Sequence, residues 1–360
     1  MNDKFRGALL GLACGDAVGT TVEFQTRGEF EPVTDMVGGG AFNLEPGQWT
    51  DDTSMALCLA QSLVDKGGMD AVDQLQKYVD WLNLGYMSSN GHCFDIGGTT
   101  RRALRDFQEI GSEVAWHDDY SLGNGSIMRL APVPMFFHDN RTLAVFNSGL
   151  SSRTTHSAPQ CIEACKLLGA IIFNALHSDY LNKEEILFCQ HDSFMSKSIQ
   201  DIADGTYVDK SEKEIVGSGY VIQSLEAALW CFYTTDNFRD AILKAANLGD
   251  DADTTAAICG QVAGAFYGED GIPLEWRMKL AKLPLILELA DKLPRTRLKA
   301  KTDKEFVEAV TKFRKGESSE VMKLRTALQQ IQQWDMLNPP QTDVVADLGW
   351  LKRLVDEALK

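Results

Sequence analysis

The chain has 360 residues, 44% of them hydrophobic, and a formal net charge of -16 at pH 7. That apolar content supplies core for one large domain or two ordinary ones and argues against intrinsic disorder. The acidic balance, with no run of Lys and Arg to offset it, argues against a nucleic-acid partner and suits a metalloenzyme or a binder of cationic surfaces.

Eight cysteines stand apart at positions 14, 58, 93, 161, 165, 189, 231 and 259. Only Cys161 and Cys165 are close, and their spacing fits neither a zinc knuckle nor a redox pair. After Met1 come Asn2-Asp3-Lys4, and no apolar run reads as a signal peptide or a membrane span. The expectation is a reduced, cytoplasmic protein with no membrane attachment.

Helical periodicity dominates the chain in order. Stretches 54–64, 99–110, 159–175, 223–233, 238–247 and 254–267 read as helices, and Val72, Leu75, Val79 and Leu82 mark another at amphipathic spacing. Segments 33–36 and 135–137 alternate like strands but are too short to build a sheet. An all-α fold is predicted, a compact orthogonal helical domain over residues 1–300. Beyond it, 303–315, 321–333 and 343–359 read as charged surface helices interrupted by Asn338-Pro339-Pro340. They form a C-terminal appendage, 301–360, that packs on the body or meets a partner, with no catalytic constellation of its own.

Two short clusters, some two hundred residues apart, carry the chemistry: Trp49-Thr50-Asp51-Asp52-Thr53 and Gly249-Asp250-Asp251-Ala252-Asp253-Thr254. Crowded carboxylates resist ionisation unless something positive stands between them. Hard cations such as Mg²⁺, Mn²⁺ or Ca²⁺ take all-oxygen ligands of this kind. Each cluster also precedes an apolar helical run, so its residues could serve as helix caps favoured by the macrodipole. A cap needs one oxygen, whereas each cluster offers four or more. If the clusters meet, they hold one or two divalent ions.

Glycine-rich loops, Gly38–Gly40, Gly97-Gly98, Gly123-Asn124-Gly125-Ser126 and Gly217–Gly219, stand just before predicted helices. Such loops are often turns, but they can also present backbone N–H groups to a phosphate at a helix start.

In this order the motifs resemble the ADP-ribosylglycohydrolase family, which includes dinitrogenase reductase-activating glycohydrolase. The resemblance runs from Phe5-Arg6-Gly7-Ala8-Leu9-Leu10-Gly11-Leu12-Ala13-Cys14-Gly15-Asp16-Ala17-Val18-Gly19 through Val22-Glu23-Phe24, the first acidic cluster and Phe94-Asp95-Ile96-Gly97. It continues through Gly123–Arg129 and Thr155-His156-Ser157 to the second cluster and its helix, covering roughly residues 5 to 290.

The resemblance implies an all-α fold around two divalent cations, Mg²⁺ or Mn²⁺. It also implies hydrolysis of the glycosidic bond between ADP-ribose and a protein side chain, most simply arginine. Thr50, Asp51, Asp52, Asp251, Asp253 and Thr254 match the metal ligands, and Asp250 is left to support or cap. Breaking a bond at the anomeric carbon builds positive charge on the sugar and needs a carboxylate to activate water or shuttle a proton. Glu23 and Asp95 are the candidates for that work beside Asp52, and Asp95 could also receive a guanidinium. Its alternative is an Asx-turn before the helix at 99. Gly97, Gly98, Gly123, Asn124, Gly125, Ser126 and Met128 would line the substrate cleft, with His156 as a donor to the diphosphate and Tyr220 stacked on adenine. The partners implied are ADP-ribose, a mono-ADP-ribosylated protein and, for a blocking role, a cognate ADP-ribosyltransferase.

Two other readings stand beside this one. His117-Asp118, His138-Asp139 and His191-Asp192 resemble the ligand pairs of an all-α phosphohydrolase family, which would use zinc or iron. Alternatively the fold could bind ADP-ribose or occlude a transferase without relying on turnover.

Overall fold

The computed structural model describes residues 2–115, 121–178, 182–188, 194 and 196–296. The expected C-terminal helices, along with His117-Asp118 and His191-Asp192, lie outside the described residues. The described part is helical, with two isolated β-bridges and no strand among the described residues. Its helices are α1 (Asn2–Gly19), α2 (Asp51–Lys66), α3 (Ala71–Leu84), α4 (Gly98–Ile110), α5 (Pro132–Phe136), α6 (Arg141–Arg153) and α7 (Pro159–Leu176). They are followed by α8 (Lys183–Leu187), α9 (Lys197–Ala203), α10 (Val221–Tyr233), α11 (Phe238–Ala246), α12 (Ala252–Gly271), α13 (Leu274–Lys279) and α14 (Leu283–Lys292).

Helices α1 and α12 form the centre, buried on all sides over most of their length as helices without a polar face must be. They run antiparallel at backbone contact. Gly7, Gly11, Gly15 and Gly19 recur every fourth residue on one face of α1 and meet Gly264, Gly260, Ala256 and Ala252 of α12. A Cβ at Gly11 would stand 2.2 Å from the Gly260 carbonyl oxygen, and one at Gly15 would stand 2.1 Å from that of Ala256. This close pairing decides where the site forms. It brings the C-terminal end of α1, and the 3₁₀ turn Thr20–Val22 that leads to Glu23, beside the acidic start of α12. Helices α2, α7, α10, α11 and α14 pack around this pair.

The helix starts depart from expectation in an informative way. The acids Asp51 and Asp52 lie inside the first turn of α2, and α12 begins at Ala252 rather than at Thr254. Helix α3 buries Leu75, Tyr78, Val79 and Trp81, whereas Val72, expected on the core face, is 45% exposed. Segment 135–137 belongs to the helical turn of α5 and its cap. Gly38–Gly40 does not lead into a helix; Gly39 and Leu44 exchange backbone hydrogen bonds of 2.7 and 2.9 Å across a tight turn. Contrary to expectation, α7 is long and apolar enough to cross a membrane by length and composition, but most of it is buried against the other helices. Cys14, Cys58, Cys93, Cys161, Cys165, Cys231 and Cys259 are all free thiols, most of them buried, while Cys189 lies outside the described residues.

Candidate active site

The two acidic clusters meet. Asp16, Glu23, Asp51, Asp52, Asp95, Asp251 and Asp253 form three overlapping triads whose oxygens lie within 4.8 Å of one another, and Asp253 belongs to all three. Neither Thr50 nor Asp251, the residues at the N-cap positions of α2 and α12, makes a side-chain capping bond. The capping alternative therefore fails for both, and their oxygens turn toward the cluster. Asp16 serves α2 from a distance instead. It accepts from the N–H groups of Thr50 (2.8 Å) and Thr53 (3.0 Å) and from their hydroxyls (3.0 and 2.6 Å). Its place in the opening motif was visible in the sequence, but its role was not, because it caps a helix more than thirty residues away.

The oxygens outnumber the protons available to them. Thr50 Oγ1 lies 3.0 Å from Asp16, 3.0 Å from Asp253 and 3.2 Å from Asp52, yet a hydroxyl has one proton to donate. Thr254 Oγ1 is 3.4 Å from Asp52. Asp52 Oδ1 and Glu23 Oε2 are buried without a hydrogen-bond partner. Burial raises the carboxyl of Asp52 well above the usual carboxylate range, and the nearby charge of Asp16 adds to it. Asp253 is raised by burial and then by Glu23, and Asp51 by burial and then by Asp95. Asp16 rises to about 6 through burial, against the bonds from Thr53 and Thr50. Asp95 rises to about 7 through burial and the charge of Asp251, and Glu23 is raised further by burial and by Asp95. Orphaned oxygens and mutually repelling carboxylates of this kind are what divalent cations neutralise. The donor set of Thr50, Asp51, Asp52, Asp251, Asp253 and Thr254 fits a hard metal, while Asp16, each of whose oxygens already accepts two hydrogen bonds, holds Thr50 and Thr53 in place behind it.

The cluster forms one wall of a cavity of about 770 Å³, within the range of small-molecule sites. Glu23, Asp51, Asp95, Asp251 and Thr254 reach it from the acidic side. Gly97, Gly98, Gly123, Asn124, Gly125, Met128 and His156 complete the expected lining, and Phe24, Asp250, Ser218 and Gly219 join them. Thr50, Asp52 and Asp253 lie buried below that wall. Asp95 has a left-handed backbone (φ 60°) and places its carboxyl beside Glu23, so it is more than the turn residue of its alternative reading.

The glycine loop is held differently from expectation. The Asn124 N–H donates to Gly219 O (3.1 Å), and its side-chain amide donates to Asp251 (2.6 Å) and Ser224 (3.1 Å). Asn124 thus fastens the loop to the acidic cluster. Ser126 is buried and accepts from Ser152 (2.9 Å), so its hydroxyl faces away from the cavity. Tyr220 donates its hydroxyl to Gln160 (2.9 Å) next to the lining residue Gly219, at the cavity's edge rather than in its wall.

His156 lies under the loop, where a Cβ at Gly125 would come 2.8 Å from its ring. Its tautomer follows from bond counting. Arg129 is fully buried and donates to Thr155 Oγ1 at 2.7 Å, which leaves the Thr155 proton for His156 Nδ1, 2.8 Å away. Nε2 therefore carries the ring proton, on the side facing Gly123 and Gly125. Burial, and then the charge of Arg129, lower the imidazole to about 3, so it is a neutral donor at physiological pH. Arg129 itself lies 4.7 Å over the Tyr78 ring. His138, the described member of the His-Asp pairs, packs edge-on to Phe5 and contacts Pro294 O (3.2 Å), outside the acidic triads.

Comparison with known proteins agrees with this geometry. A family model described as ADP-ribosylglycohydrolase matches residues 1–303. The chain is 46% identical over 294 residues to the ADP-ribosylarginine hydrolase Tri1 of Serratia proteamaculans (strain 568), covering 81% of this chain and 79% of that one. It is 34% identical over 288 residues to the ADP-ribosyl-[dinitrogen reductase] glycohydrolase of Rhodospirillum rubrum, covering 78% and 91%. A solved ADP-ribosylglycohydrolase-related protein complex superposes with a TM-score of 0.72 at 36% identity, covering 82% of this chain and 98% of that chain. With acidic triads, glycine loop and sequence match all falling within residues 1–303, the chain belongs to the ADP-ribosylglycohydrolase family.

Proposed function

We propose that this protein is a metal-dependent hydrolase that removes ADP-ribose from modified arginine side chains, using two divalent cations, Mg²⁺ or Mn²⁺. The observation that carries it is the meeting of a crowded, buried carboxylate cluster with the Glu23–Asp95 pair at one cavity. The arginine assignment draws on relatives named ADP-ribosylarginine hydrolase, at 46% and 47% identity. Three triads sharing Asp253 suit two ions side by side.

When bound, the cations supply positive charge that anchors the ribose hydroxyls and polarises water. The chain's own residues do the rest. The neutral His156 Nε2–H, beside the glycine loop, donates to an oxygen of the diphosphate. Asn124 holds that loop at a fixed distance from Asp251. With the cations' charge favouring its ionised form, Glu23 takes a proton from the attacking water as the water oxygen bonds to the anomeric carbon. The carbon–nitrogen bond breaks with its electron pair going to the guanidine, and Glu23 returns the proton to that nitrogen. Asp95 pairs with the guanidinium as it departs, a cation that lowers the carboxyl's raised pKa.

The test is to incubate purified protein with peptides carrying ADP-ribosylarginine or ADP-ribosylserine, with Mg²⁺, Mn²⁺ or chelator, and to quantify free ADP-ribose. Release from the arginine peptide alone, stopped by chelator, is expected. ADP-ribose binding without release from either peptide would overturn the enzymatic reading in favour of a binding or blocking role.

A further inference from the structure

Three phenylalanines border the catalytic carboxylates: Phe24 follows Glu23, Phe94 precedes Asp95, and Phe42 joins them. The ring centroids of Phe24 and Phe42 lie 6.2 Å apart at 73°, and those of Phe42 and Phe94 lie 5.2 Å apart at 54°. Phe24 lines the cavity and remains 66% exposed, so its ring is open to an incoming substrate.

The exposure is built into the backbone. Phe24 sits at φ 63°, a left-handed conformation that bulky side chains rarely adopt. Its N–H donates to Asp250 O (2.7 Å), and Asp250, itself at φ 55°, donates back to Gln25 O (2.8 Å). Two strained residues from distant loops thus hold each other in place. Gly249 before them, at φ 71°, leaves no room for a side chain, since a Cβ there would lie 2.6 Å from Gln25 O. Phe42 is carried by the Gly39–Leu44 turn, which Thr21 ties to the end of the central helix through Gly38 O (3.1 Å). Backbone strain of this kind clusters at active sites and ligand clamps.

We propose that Phe24, Phe42 and Phe94 form an aromatic collar that receives the guanidinium and methylene stem of the modified arginine. This inference rests on arginine being the leaving group. The chemistry is complementary on two counts. A guanidinium is planar and weakly hydrated, so its face stacks on aromatic rings, and its edge pairs with carboxylates. Phe24 shares the cavity wall with Glu23 and Asp95, which supply the charge, and Phe42 and Phe94 extend the aromatic surface behind it through ring contacts. A serine-linked substrate has neither a cation nor a stem to place there. The collar therefore discriminates by leaving group, while the glycine loop and His156 hold the part of the substrate that every leaving group shares.

The test compares wild type with Phe24→Leu and Phe42→Ala on a peptide carrying one ADP-ribosylated arginine, alongside calorimetric binding of free ADP-ribose. Phe24→Leu keeps an apolar side chain but removes the ring face, so a merely structural role would leave its kinetics unchanged. The expected result is a KM raised about three- to tenfold, kcat within about twofold, and the ADP-ribose Kd unchanged in both variants. An unchanged KM in both, with wild type active on the arginine peptide, refutes the collar and leaves the hydrolase reading standing. An ADP-ribose Kd weakened in parallel also refutes it, by placing the rings against the nucleotide. No arginine turnover by the wild type itself removes both.

Discussion

Replacing Gly11 by alanine tests whether the central helix pair positions the site. At this position the new Cβ would lie 2.2 Å from the Gly260 carbonyl oxygen and 3.1 Å from Gly264 Cα. Ordinary contact needs about 3.4 Å or more, so α1 and α12 must part by about 1 Å. Overpacking of this kind costs about 1–3 kcal/mol, while alanine's better helix propensity returns up to about 1 kcal/mol. A net loss of about 1–2 kcal/mol is expected in urea unfolding. The consequence extends to the site, because Asp16 rides on α1 and Asp253 on α12, and both meet at Thr50. The stabilisation that saturating Mn²⁺ confers should therefore shrink as well. Gly98→Ala is the control. It begins α4 with nothing within 4 Å of the added carbon, and stability there should hold or rise slightly. A Gly11→Ala protein as stable as wild type, with undiminished metal stabilisation, would show that the α1–α12 contact does not position the site.

Other perturbations follow from the same geometry. In chelator, stability should fall as pH rises from about 4 to 7, since Asp16 (about 6) and Asp95 (about 7) bind protons in the folded state that the unfolded chain has released near pH 4. Asp16 alone accounts for about 3 kcal/mol of that slope; urea midpoints measured across the window should show it, and saturating Mn²⁺, which takes the protons' place, should flatten it. Thr155→Val leaves Arg129 and His156 Nδ1 without their shared hydroxyl, so about 1–3 kcal/mol of stability should be lost. Ring ¹⁵N shifts of His156 report the tautomer in the same variant, and an Nδ1–H tautomer already present in wild type would contradict the assignment. Asn124→Ala unties the glycine loop from Asp251 and should weaken ADP-ribose binding about tenfold in a direct titration with metal present, reflecting the loss of one charge-assisted hydrogen bond.

The site was legible where chemistry is local. Thr50, Asp51, Asp52, Asp251, Asp253 and Thr254 offer more oxygens than two helix starts can use, and that surplus is visible in the chain alone. What could not be read depends on distant partners. Asp16 looked like part of a helix motif because its capping targets, Thr50 and Thr53, lie in another helix. Asn124 and Ser126 read as phosphate donors, yet their hydrogen bonds are committed to Asp251 and Ser152. Val72 has the spacing of a core residue and is exposed, because α3 turns Tyr78 and Trp81 inward instead. The every-fourth glycines of α1 were not read as a packing face, because their partners, Ala252, Ala256, Gly260 and Gly264, lie more than two hundred residues away. The helices expected after residue 300 lie outside the described residues.

If hydrolysis depends on cations held by this carboxylate cluster, removing a shared ligand must abolish both binding and turnover. Asp253, shared by all three triads, is the residue to remove. The direct measurement is release of ADP-ribose from an ADP-ribosylarginine peptide by wild type and Asp253→Ala, with Mn²⁺ bound per chain quantified on the same samples. Wild type should show metal-dependent release and bound Mn²⁺, and the variant should lose both while keeping its helical content. Wild-type turnover by Asp253→Ala, or by the native protein stripped of metal, would contradict that dependence.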